Sequence, residues 1–278
     1  MSNTLLIVYA TYLEAQPLLL LLQPFLETSA ECDKNDSQLL LTTKDSTFLS
    51  FVLSSKLKVQ LLITGAGLTA TSCWVTKITS LFNYSLAINA GIAGCFDSKL
   101  SIGSVVYVTK DTIADMGSEE PLIGFKPISQ MPFFNANAFP YQQGYIYQNP
   151  PQHNTILQTH LSQLPQASGI TVNCVTGKKT TLRQRRQLFN PDIETMEGAA
   201  FFYACHLTQT PCIAIRAISN RAGDRKYTNW DLPLAVEKLT HNNSSLAICF
   251  LLLLNLWRAY GKPAMRTKIY CLNCIFAK

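Results

Sequence analysis

Short apolar runs rich in β-branched residues recur along the chain, and each run ends in small residues. Runs of this kind without polar alternation are typical of strands buried on both faces of a sheet. Longer segments with apolar residues at helical spacing lie between them. The predicted strands span residues 4–9, 59–64, 86–89 and 212–218, and the predicted helices span residues 14–26, 69–81, 197–207 and 233–257.

The alternation of strands and helices predicts βα units and a mostly parallel sheet. Two further strands, at residues 104–109 and 170–176, border an irregular region at 117–153 that is rich in Pro, Phe, Asn and Gln. A loop of this size inside a compact domain usually has a function or is mobile. We expect one α/β domain over residues 1–257, in which helices flank a twisted central mixed sheet.

The last residues, 258–278, differ in character from this domain. They contain a Gly-Lys-Pro break, several basic residues and the pair Cys271-x-x-Cys274. Two thiolates at this spacing are half of a zinc site, which needs four ligands, and no second pair follows at a plausible spacing. We therefore predict a C-terminal tail of unknown role and no metal.

Composition narrows the class of protein. With 47% apolar and 14% charged residues, the chain is neither disordered nor a coiled coil. The net charge of +6 is not arranged as a basic stripe interleaved with aromatics, so no nucleic-acid partner is expected. The longest apolar run, residues 246–257, is shorter than the roughly 20 residues of a membrane span and predicts a buried final helix.

The nine cysteines are irregularly spaced and mostly lie within apolar runs. The N-terminus lacks both a basic segment and a small-residue cleavage site, so we interpret it as a first strand rather than a signal peptide. A reduced, cytoplasmic location is the expectation from these features.

Candidate chemistry follows the predicted strands, where ligands of open α/β sheets collect. The pair Gly65-Ala-Gly67 precedes a helix and would let backbone N–H groups approach a ligand, although it lacks the further residues of a dinucleotide or P-loop motif. The other segments are Asn89-Ala-Gly-Ile-Ala-Gly94, Glu194-Thr-Met-Glu-Gly-Ala-Ala200 and Arg216-Ala-Ile-Ser-Asn220.

In this order, the four segments resemble the superfamily of purine nucleoside phosphorylases and 5′-methylthioadenosine/S-adenosylhomocysteine nucleosidases, over residue 1 to about 257. Through Ser-Asn220 and Asn229-Trp-Asp-Leu-Pro-Leu-Ala, the chain is most similar to the futalosine hydrolases of that superfamily. The resemblance implies a cytoplasmic hydrolase of a small-molecule nucleoside that releases hypoxanthine in menaquinone biosynthesis, needs no cofactor and forms a homodimer or larger homo-oligomer. The alternatives are a methylthioadenosine or S-adenosylhomocysteine nucleosidase, a phosphorylase, and a nucleoside-binding protein without catalysis.

The resemblance assigns Glu197 to the ribose, whose 2′- and 3′-hydroxyls would donate to its carboxylate. Met196, Gly67, Ala93 and Gly94 would complete the substrate-binding surface, the small residues by letting the backbone approach the substrate. As an alternative from the residues alone, Glu197 is a helix N-terminal glutamate favoured by the helix dipole, a role that Glu194 would fill equally well.

Asn220 would face the purine. Relatives that cleave adenine nucleosides have an aspartic acid at this position, whereas an amide favours a 6-oxopurine, whose N7 and O6 it can hydrogen-bond. Otherwise Asn220 is a turn residue that closes a strand. Arg216, which a regular strand would place on the same face, would orient Asn220 or the neighbouring polar network, with a buried structural arginine as an equal alternative.

Glu14 follows the first predicted strand, where a carboxylate would repel phosphate and could position or deprotonate water. No arginine precedes Arg183, so the first two strand ends offer no arginine clamp for phosphate. Together these features favour hydrolysis over phosphorolysis. The alternative for Glu14 is an exposed glutamate in the first turn of a helix.

Two predicted contacts, one that stacks on the base and one that binds a substrate carboxylate, involve residues outside the four segments. Thr180 stands where the resemblance places an aromatic that stacks on the base, so stacking would come from elsewhere, such as Phe133, Phe134 or a partner subunit. The substrate carboxylate implied by the futalosine hydrolases would pair with Arg225. The cluster at 183–186 is interpreted instead as a solvated basic helix face.

Overall fold

A computed structural model of the protein describes residues 3–23, 46–54, 57–121, 124–152 and 154–240. These residues form six helices and eleven strands. The helices are α1 (Tyr12–Leu22), α2 (Leu68–Leu81), α3 (Thr155–Leu161), α4 (Lys179–Phe189), α5 (Gly198–Leu207) and α6 (Leu232–Thr240). The strands are β1 (Asn3–Tyr9), β2 (Thr47–Ser54), β3 (Leu57–Ile63), β4 (Leu86–Cys95), β5 (Val105–Asp111), β6 (Gly117–Glu120), β7 (Gly124–Pro127), β8 (Ile146–Tyr147), β9 (Gln166–Thr171), β10 (Ile193–Thr195) and β11 (Cys212–Arg221).

Nine of these strands form one mixed sheet in the order β10-β9-β5-β11-β4-β1-β3-β2, with β8 added to β5. The pairs of β1 with β3 and β4, and of β11 with β4, are parallel, whereas β11 with β5 and β2 with β3 are antiparallel. Strand β10 also pairs with β4, so β4, β11, β5, β9 and β10 close into a ring. The prediction of a single mixed sheet flanked by helices is confirmed.

Helices cover both faces of the sheet, as the uninterrupted burial of the central strands requires. On one face, Leu18 of α1, Leu161 of α3 and Leu239 of α6 join a buried apolar cluster. On the other, Val75 of α2 and Phe201 of α5 join a second cluster. The carboxyl ends of the parallel strands β1, β3, β4 and β11 therefore lie along one edge of the sheet, where the site described below is found.

All but one of the predicted elements begin within two residues of an observed element, and the larger differences lie mostly at their ends. The predicted strand at 86–89 continues to Cys95, because the Gly and Ala residues interpreted as a loop pair with β11 and β10. The predicted strand at 170–176 lies instead at Gln166–Thr171. Helix α1 ends at Leu22. The rest of the predicted final helix and the tail 258–278 lie outside the described residues.

The region at 117–153, predicted to be irregular, contains a hairpin of β6 and β7 and the short strand β8. Its aromatic residues pack onto the domain through Tyr141, whose ring contacts Phe134 and Tyr203. In the part of the chain that the structure describes, none of the helices is both long and apolar enough to span a bilayer.

Candidate active site

Glu14 lies at the carboxyl end of β1, in the first turn of α1, and is buried. Its Oε2 accepts hydrogen bonds from the backbone N and the Oγ1 of Thr11, at 2.9 and 2.7 Å, and the Glu14 N–H donates back to Thr11 Oγ1. Its Oε1 accepts from the backbone N of Ile92 at 3.0 Å. The predicted alternative of an exposed glutamate is therefore wrong, since this reciprocal cap turns the side chain inward toward β4.

Gly91 provides the space for that carboxylate. A Cβ on Gly91 would lie 2.8 Å from Glu14 Oε1 and 3.8 Å from the Nε of Arg216, so a side chain there would force the Glu14 carboxylate to move. The absence of a side chain at Gly91 thus lets a carboxylate and a guanidinium approach the same point of β4.

Glu197 lies in the turn between β10 and α5, at the N-cap of α5. Its Oε1 accepts from the backbone N of Gly67 at 2.8 Å and its Oε2 from the backbone N of Met196 at 3.3 Å. Burial raises the pKa of Glu197, and the charge of Glu14 adds to the rise, while the Gly67 N–H and the charge of Arg216 oppose it. Glu197 therefore faces the centre of the sheet edge together with Glu14.

Arg216 is 2% exposed and lies in the middle of β11. Its Nη1 donates to the carbonyl of Asn89 at 2.7 Å, and its Nη2 donates to the side-chain oxygen of the same residue. Burial lowers the pKa of the guanidinium, and the charges of Glu197 and Glu14 counteract this change. Arg216 thus offsets the negative charge of the two carboxylates.

Arg216 was expected either to orient Asn220 or the neighbouring polar network, or to be a buried structural arginine. It is buried and bonded to Asn89, and within the described residues no hydrogen bond joins it to Asn220. The pairing of β11 with β4 shifts register between Ile218 and Asn220. This irregularity breaks the alternation that would place Arg216 and Asn220 on one face.

Asn220 lies near the end of β11 opposite Gly94, and its side chain is held locally. Its Oδ1 accepts from Ser219 Oγ at 2.9 Å, and its Nδ2 donates to the carbonyl of Arg221 at 3.0 Å. One N–H and one oxygen lone pair of the amide stay free of these bonds. A Cβ on Gly94 would lie 3.3 Å from Asn220 Nδ2, so the glycine keeps the approach to the amide open.

Gly91, which borders the Glu14 carboxylate, and Gly94, which borders the Asn220 amide, are three residues apart on β4. At the rise of a β-strand this spacing is about 10 Å along the strand. The charges of Glu14 and Glu197 interact with one another on the Gly91 side. This arrangement suits a ligand with a polyhydroxylated part and a flat part with hydrogen-bonding edges.

The remaining predicted residues are divided between the site and its surroundings. Met196 is half-buried beside Glu197, and Ala93 is buried, with its carbonyl accepting from Ser219. Thr180 is exposed in the first turn of α4. Arg225 is exposed, with its guanidinium over the rings of Trp230 and Tyr227 at 4.8 and 5.4 Å.

The basic cluster at 183–186 is not uniformly solvated, contrary to the prediction. Arg185 is 6% exposed and forms an ion pair of 2.8 Å with Glu194, which also accepts from Thr176. Glu194 therefore lies in β10 as the partner of a buried arginine, and it is not a helix N-terminal residue. Phe133, named as a stacking aromatic, is 79% exposed.

Asp111 is a site neighbour that the sequence pattern did not identify. It ends β5 and is 1% exposed, and its charge acts on those of Arg216 and Glu197. Burial raises the pKa of Asp111 to about 7, and the hydrogen bond from Thr171 and the charge of Arg216 oppose the rise. The predicted strand stopped at 109, and extending it by two residues would have placed this carboxylate at a strand end.

No group of three His, Cys, Asp or Glu side chains suited to a metal ion occurs within the described ranges. Cys271 and Cys274, the pair considered for zinc, lie outside them.

Comparison with known proteins extends these observations. The phosphorylase superfamily matches residues 42–255 of the chain. The 5′-methylthioadenosine/S-adenosylhomocysteine nucleosidase of Glaesserella parasuis is 26% identical over 65% of this chain and 76% of its own length. The futalosine hydrolase of Streptomyces coelicolor is 28% identical over 59% of this chain, and the chain spans just under two thirds (66%) of that relative's length.

Solved structures show the same fold. The futalosine hydrolase of Helicobacter pylori superposes with a TM-score of 0.65 at 16% identity, covering 86% of this chain and 97% of its own. The S-adenosylhomocysteine nucleosidase of Streptococcus pyogenes, in complex with 5-methylthiotubericidin, does so with a TM-score of 0.64 at 22% identity, covering 92% and 98%. The predicted resemblance and fold are confirmed, and the names of the relatives agree with the predicted class of enzyme: this chain belongs to the phosphorylase superfamily.

Proposed function

We propose that the protein is an N-ribosyl hydrolase that cleaves futalosine to hypoxanthine and dehypoxanthine futalosine, a step of menaquinone biosynthesis. The observation that carries the proposal is the combination of two inward-facing carboxylates and an amide. Glu14 is bonded to Ile92 of β4, Glu197 is bonded to Gly67, and Asn220 lies opposite Gly94, two residues further along β4 than Ile92. Each of the three matches one demand of the reaction.

Glu197 holds the sugar. Two carboxylate oxygens match the vicinal 2′- and 3′-hydroxyls, and the bonds are charge-assisted. As the C1′–N9 bond breaks, positive charge develops on the ribose, and the nearby carboxylate stabilises it. The backbone N–H of Gly67, at 2.8 Å from Oε1, fixes the rotation of this carboxylate.

Asn220 receives the leaving base. Its free N–H donates to N7 or O6, where the electron pair of the broken bond accumulates, and its free lone pair accepts from a purine N–H. An amide has no acidic proton to give to N7, and adenine has no O6 onto which the charge of the broken bond can spread, so Asn220 favours the 6-oxopurine. The substitution Asn220→Asp is expected to raise the ratio of adenine to hypoxanthine release.

Glu14 activates water. The carboxylate accepts a proton from water as the water oxygen forms its bond to C1′, while the C1′–N9 electron pair leaves with the base, which takes a proton from solvent. The hydrogen bonds from Thr11 and Ile92 fix the position of the carboxylate in the buried site. Phosphate would meet two negative charges here, which favours water as the nucleophile.

The remaining parts of the proposal rest on resemblance. Arg225, preset by its contacts with Trp230 and Tyr227, is proposed to bind the carboxylate of the substrate. Thr180 and Ala93 are proposed to border the base. No cofactor is called for, because water is the nucleophile and protein groups supply the electrostatic stabilisation. A cytoplasmic homo-oligomer of a domain spanning residues 1–257 completes the proposal.

Two alternatives share the same fold. A methylthioadenosine or S-adenosylhomocysteine nucleosidase would use the same carboxylates on an adenine nucleoside, the function named for the Glaesserella relative. A purine nucleoside phosphorylase would replace water by phosphate. The protein could also bind nucleosides without cleaving them, as a module without catalysis.

The test is base release from futalosine, methylthioadenosine and inosine, each with and without added phosphate. The proposal predicts hypoxanthine from futalosine at the highest kcat/KM, unchanged by phosphate. Adenine release from methylthioadenosine at equal or higher efficiency would contradict it, and so would a requirement for phosphate. If none of the three nucleosides is cleaved while futalosine still binds, the protein is a nucleoside-binding module and not an enzyme.

A further inference from the structure

The residue at the N-cap of α5 does not cap its own helix. Glu197 occupies the N-cap position, where a side chain ordinarily accepts hydrogen bonds from the first N–H groups of its own helix. Its oxygens instead accept from Gly67 and Met196, and no bond joins its side chain to α5. The N–H groups at the start of α5 therefore need acceptors from elsewhere.

Two threonines on neighbouring strands supply these acceptors. The N–H of Gly198 donates to Thr195 Oγ1 at 3.2 Å, and the N–H of Ala199 donates to Thr171 Oγ1 at 2.8 Å. Thr171 is the last residue of β9, 28 positions before Ala199. Helix α5 is thus capped by side chains of two strands, and the Glu197 carboxylate is not needed as its cap.

Asp111 supports this cap from behind. The hydroxyl of Thr171 donates to Asp111 Oδ1 at 2.7 Å, which orients its lone pairs toward the N–H of Ala199. Asp111 Oδ2 has no hydrogen-bond partner among the described residues. It lies directly against Gly198 and Gly169, at both of which an added Cβ would overlap it.

Packing at Asp111 explains why this carboxyl cannot act on a substrate directly. The residue is 1% exposed, and the backbone of α5 covers the free oxygen. A negative charge at that point is nonetheless favourable for the positive end of the α5 dipole. Apart from the direct effect of its charge on Arg216 and Glu197, Asp111 acts on the site through Thr171 and the first turn of α5.

We propose that Asp111 and Thr171 are positioning residues, which cap α5 in place of Glu197 so that the Glu197 carboxylate is free to hold the ribose. The proposal rests on the proposed role of Glu197 in nucleoside cleavage. It adds that the geometry of the sugar site is set by β5 and β9, two strands that contribute no group to the sugar itself.

The experiment compares two isosteric substitutions, Thr171→Val and Thr79→Val. Thr79 is a matched control because it is also a buried threonine, in α2, with its hydroxyl bonded to Val75 O at 2.7 Å and to Thr208 at 3.0 Å. Thr171→Ser retains the hydroxyl and serves as the rescue variant. The measurements are the melting temperature, and kcat and KM on futalosine and on its 2′-deoxy analogue.

Thr171→Val is expected to lower kcat/KM on futalosine by about 10- to 100-fold, since a misplaced binding group costs on this order. The loss should be several times smaller on the 2′-deoxy analogue, which lacks one of the hydroxyls that Glu197 binds. Thr171→Ser should restore most of the activity. Thr79→Val should lower the melting temperature comparably and leave kcat/KM unchanged.

Equal losses on the two substrates, or equal losses in the two valine variants, would overturn the proposal. A crystal structure of Thr171→Val gives a second readout that needs no activity. There the Glu197 Oε1 to Gly67 N distance, 2.8 Å in the parent, should lengthen as the carboxylate turns to cap α5. An unchanged distance would contradict the positioning role, whereas a parent without nucleoside cleavage would contradict only the proposed function.

Discussion

The β1–α1 and β10–α5 turns each bring a glutamate to the same edge of the sheet, but they do so in different ways. Glu14 lies in the first turn of α1 and exchanges hydrogen bonds with Thr11, three residues before it. Glu197 is itself at the N-cap of α5, and its bonded partner Gly67 lies 130 positions away. The Glu14 carboxylate is held largely by its neighbour Thr11, with one further hydrogen bond from the backbone N of Ile92. The side chain of Glu197 makes no cap bond to its own helix and depends on the distant Gly67.

The difference has a chemical meaning under the proposed function. A carboxylate that handles a small nucleophile such as water needs one fixed position, which a local cap provides. A carboxylate that binds two hydroxyls needs a further lone pair of each oxygen directed at the sugar, and self-capping would turn the carboxylate toward the N–H groups of its own helix instead. The transfer of the cap to Thr171 and Thr195 removes that conflict.

The largest effect is expected from Glu14→Gln. Loss of the base should lower kcat on futalosine by about 100- to 10,000-fold. KM should change little, because Glu14 is proposed to act on water and not on the sugar. Steady-state kinetics check this, with Glu119→Gln, an exposed glutamate of β6, as the control. A kcat within a factor of a few of the parent would remove Glu14 from the chemistry.

Glu197→Gln is expected to have the next largest effect, and to act differently. Its kcat/KM should fall about 100- to 1000-fold, the range for loss of one electrostatic contact to the transition state. Unlike the loss at Glu14, this loss should shrink on the 2′-deoxy analogue. The measurement is kcat/KM of both variants on futalosine and on the 2′-deoxy analogue. If both variants lost activity to the same extent on the two substrates, the two carboxylates would not have separate roles.

Gly91→Ala perturbs the Glu14 side of the site through space. The added Cβ would lie 2.8 Å from Glu14 Oε1 and push the carboxylate off its position, so kcat should fall about 10- to 100-fold. If the effect passes through Glu14, the double variant Gly91→Ala/Glu14→Gln should be no worse than Glu14→Gln alone. Additive losses would show an independent role for Gly91.

The smallest expected effect is on the pH dependence of stability, through Asp111, a buried neighbour of Glu197. Burial raises the pKa of Asp111 from 3.8 to about 7, with Thr171, Arg216 and Glu197 as its interacting neighbours. Because the unfolded chain ionises at the lower value, the folded state becomes relatively less stable as pH rises from about 4 to about 7. Asp111→Asn cannot ionise, so its melting temperature should decline less across this range.

Melting curves of the parent and of Asp111→Asn from pH 4 to pH 8 make this measurable, since each kcal/mol shifts the midpoint by roughly 2–4 °C in a domain of this size. Other groups that titrate in both proteins cancel in the difference. Parallel curves would show that Asp111 ionises at the same pH in the folded and the unfolded chain.

The same contrast explains what the sequence could predict. The first strand, the α1 segment and Glu14 follow from a local pattern, and they were predicted. The continuation of β4 through Gly94 depends on its pairing with β10 and β11, partners far along the chain, so a run of Gly and Ala was interpreted as a loop.

Residues placed by tertiary contacts were the ones missed or misjudged. The cluster that contains Arg185 was interpreted as a solvated helix face and Glu194 as a possible helix N-terminal residue, because nothing local in the sequence shows that these two residues form a buried pair. The register shift before Asn220 separated it from Arg216, and no sequence pattern marks such a shift. Asp111 and Thr171 were missed because their role exists only where β5, β9 and α5 meet.

The central claim is that Glu197 and Asn220 belong to one nucleoside site, and a crystal structure with hypoxanthine bound tests it most directly. The account predicts the N7 and O6 edge of the base within hydrogen-bond distance of the Asn220 amide, with the Glu197 carboxylate lining the same cavity beyond N9. Hypoxanthine bound away from Asn220, or a cavity that contains only one of the two side chains, would contradict it.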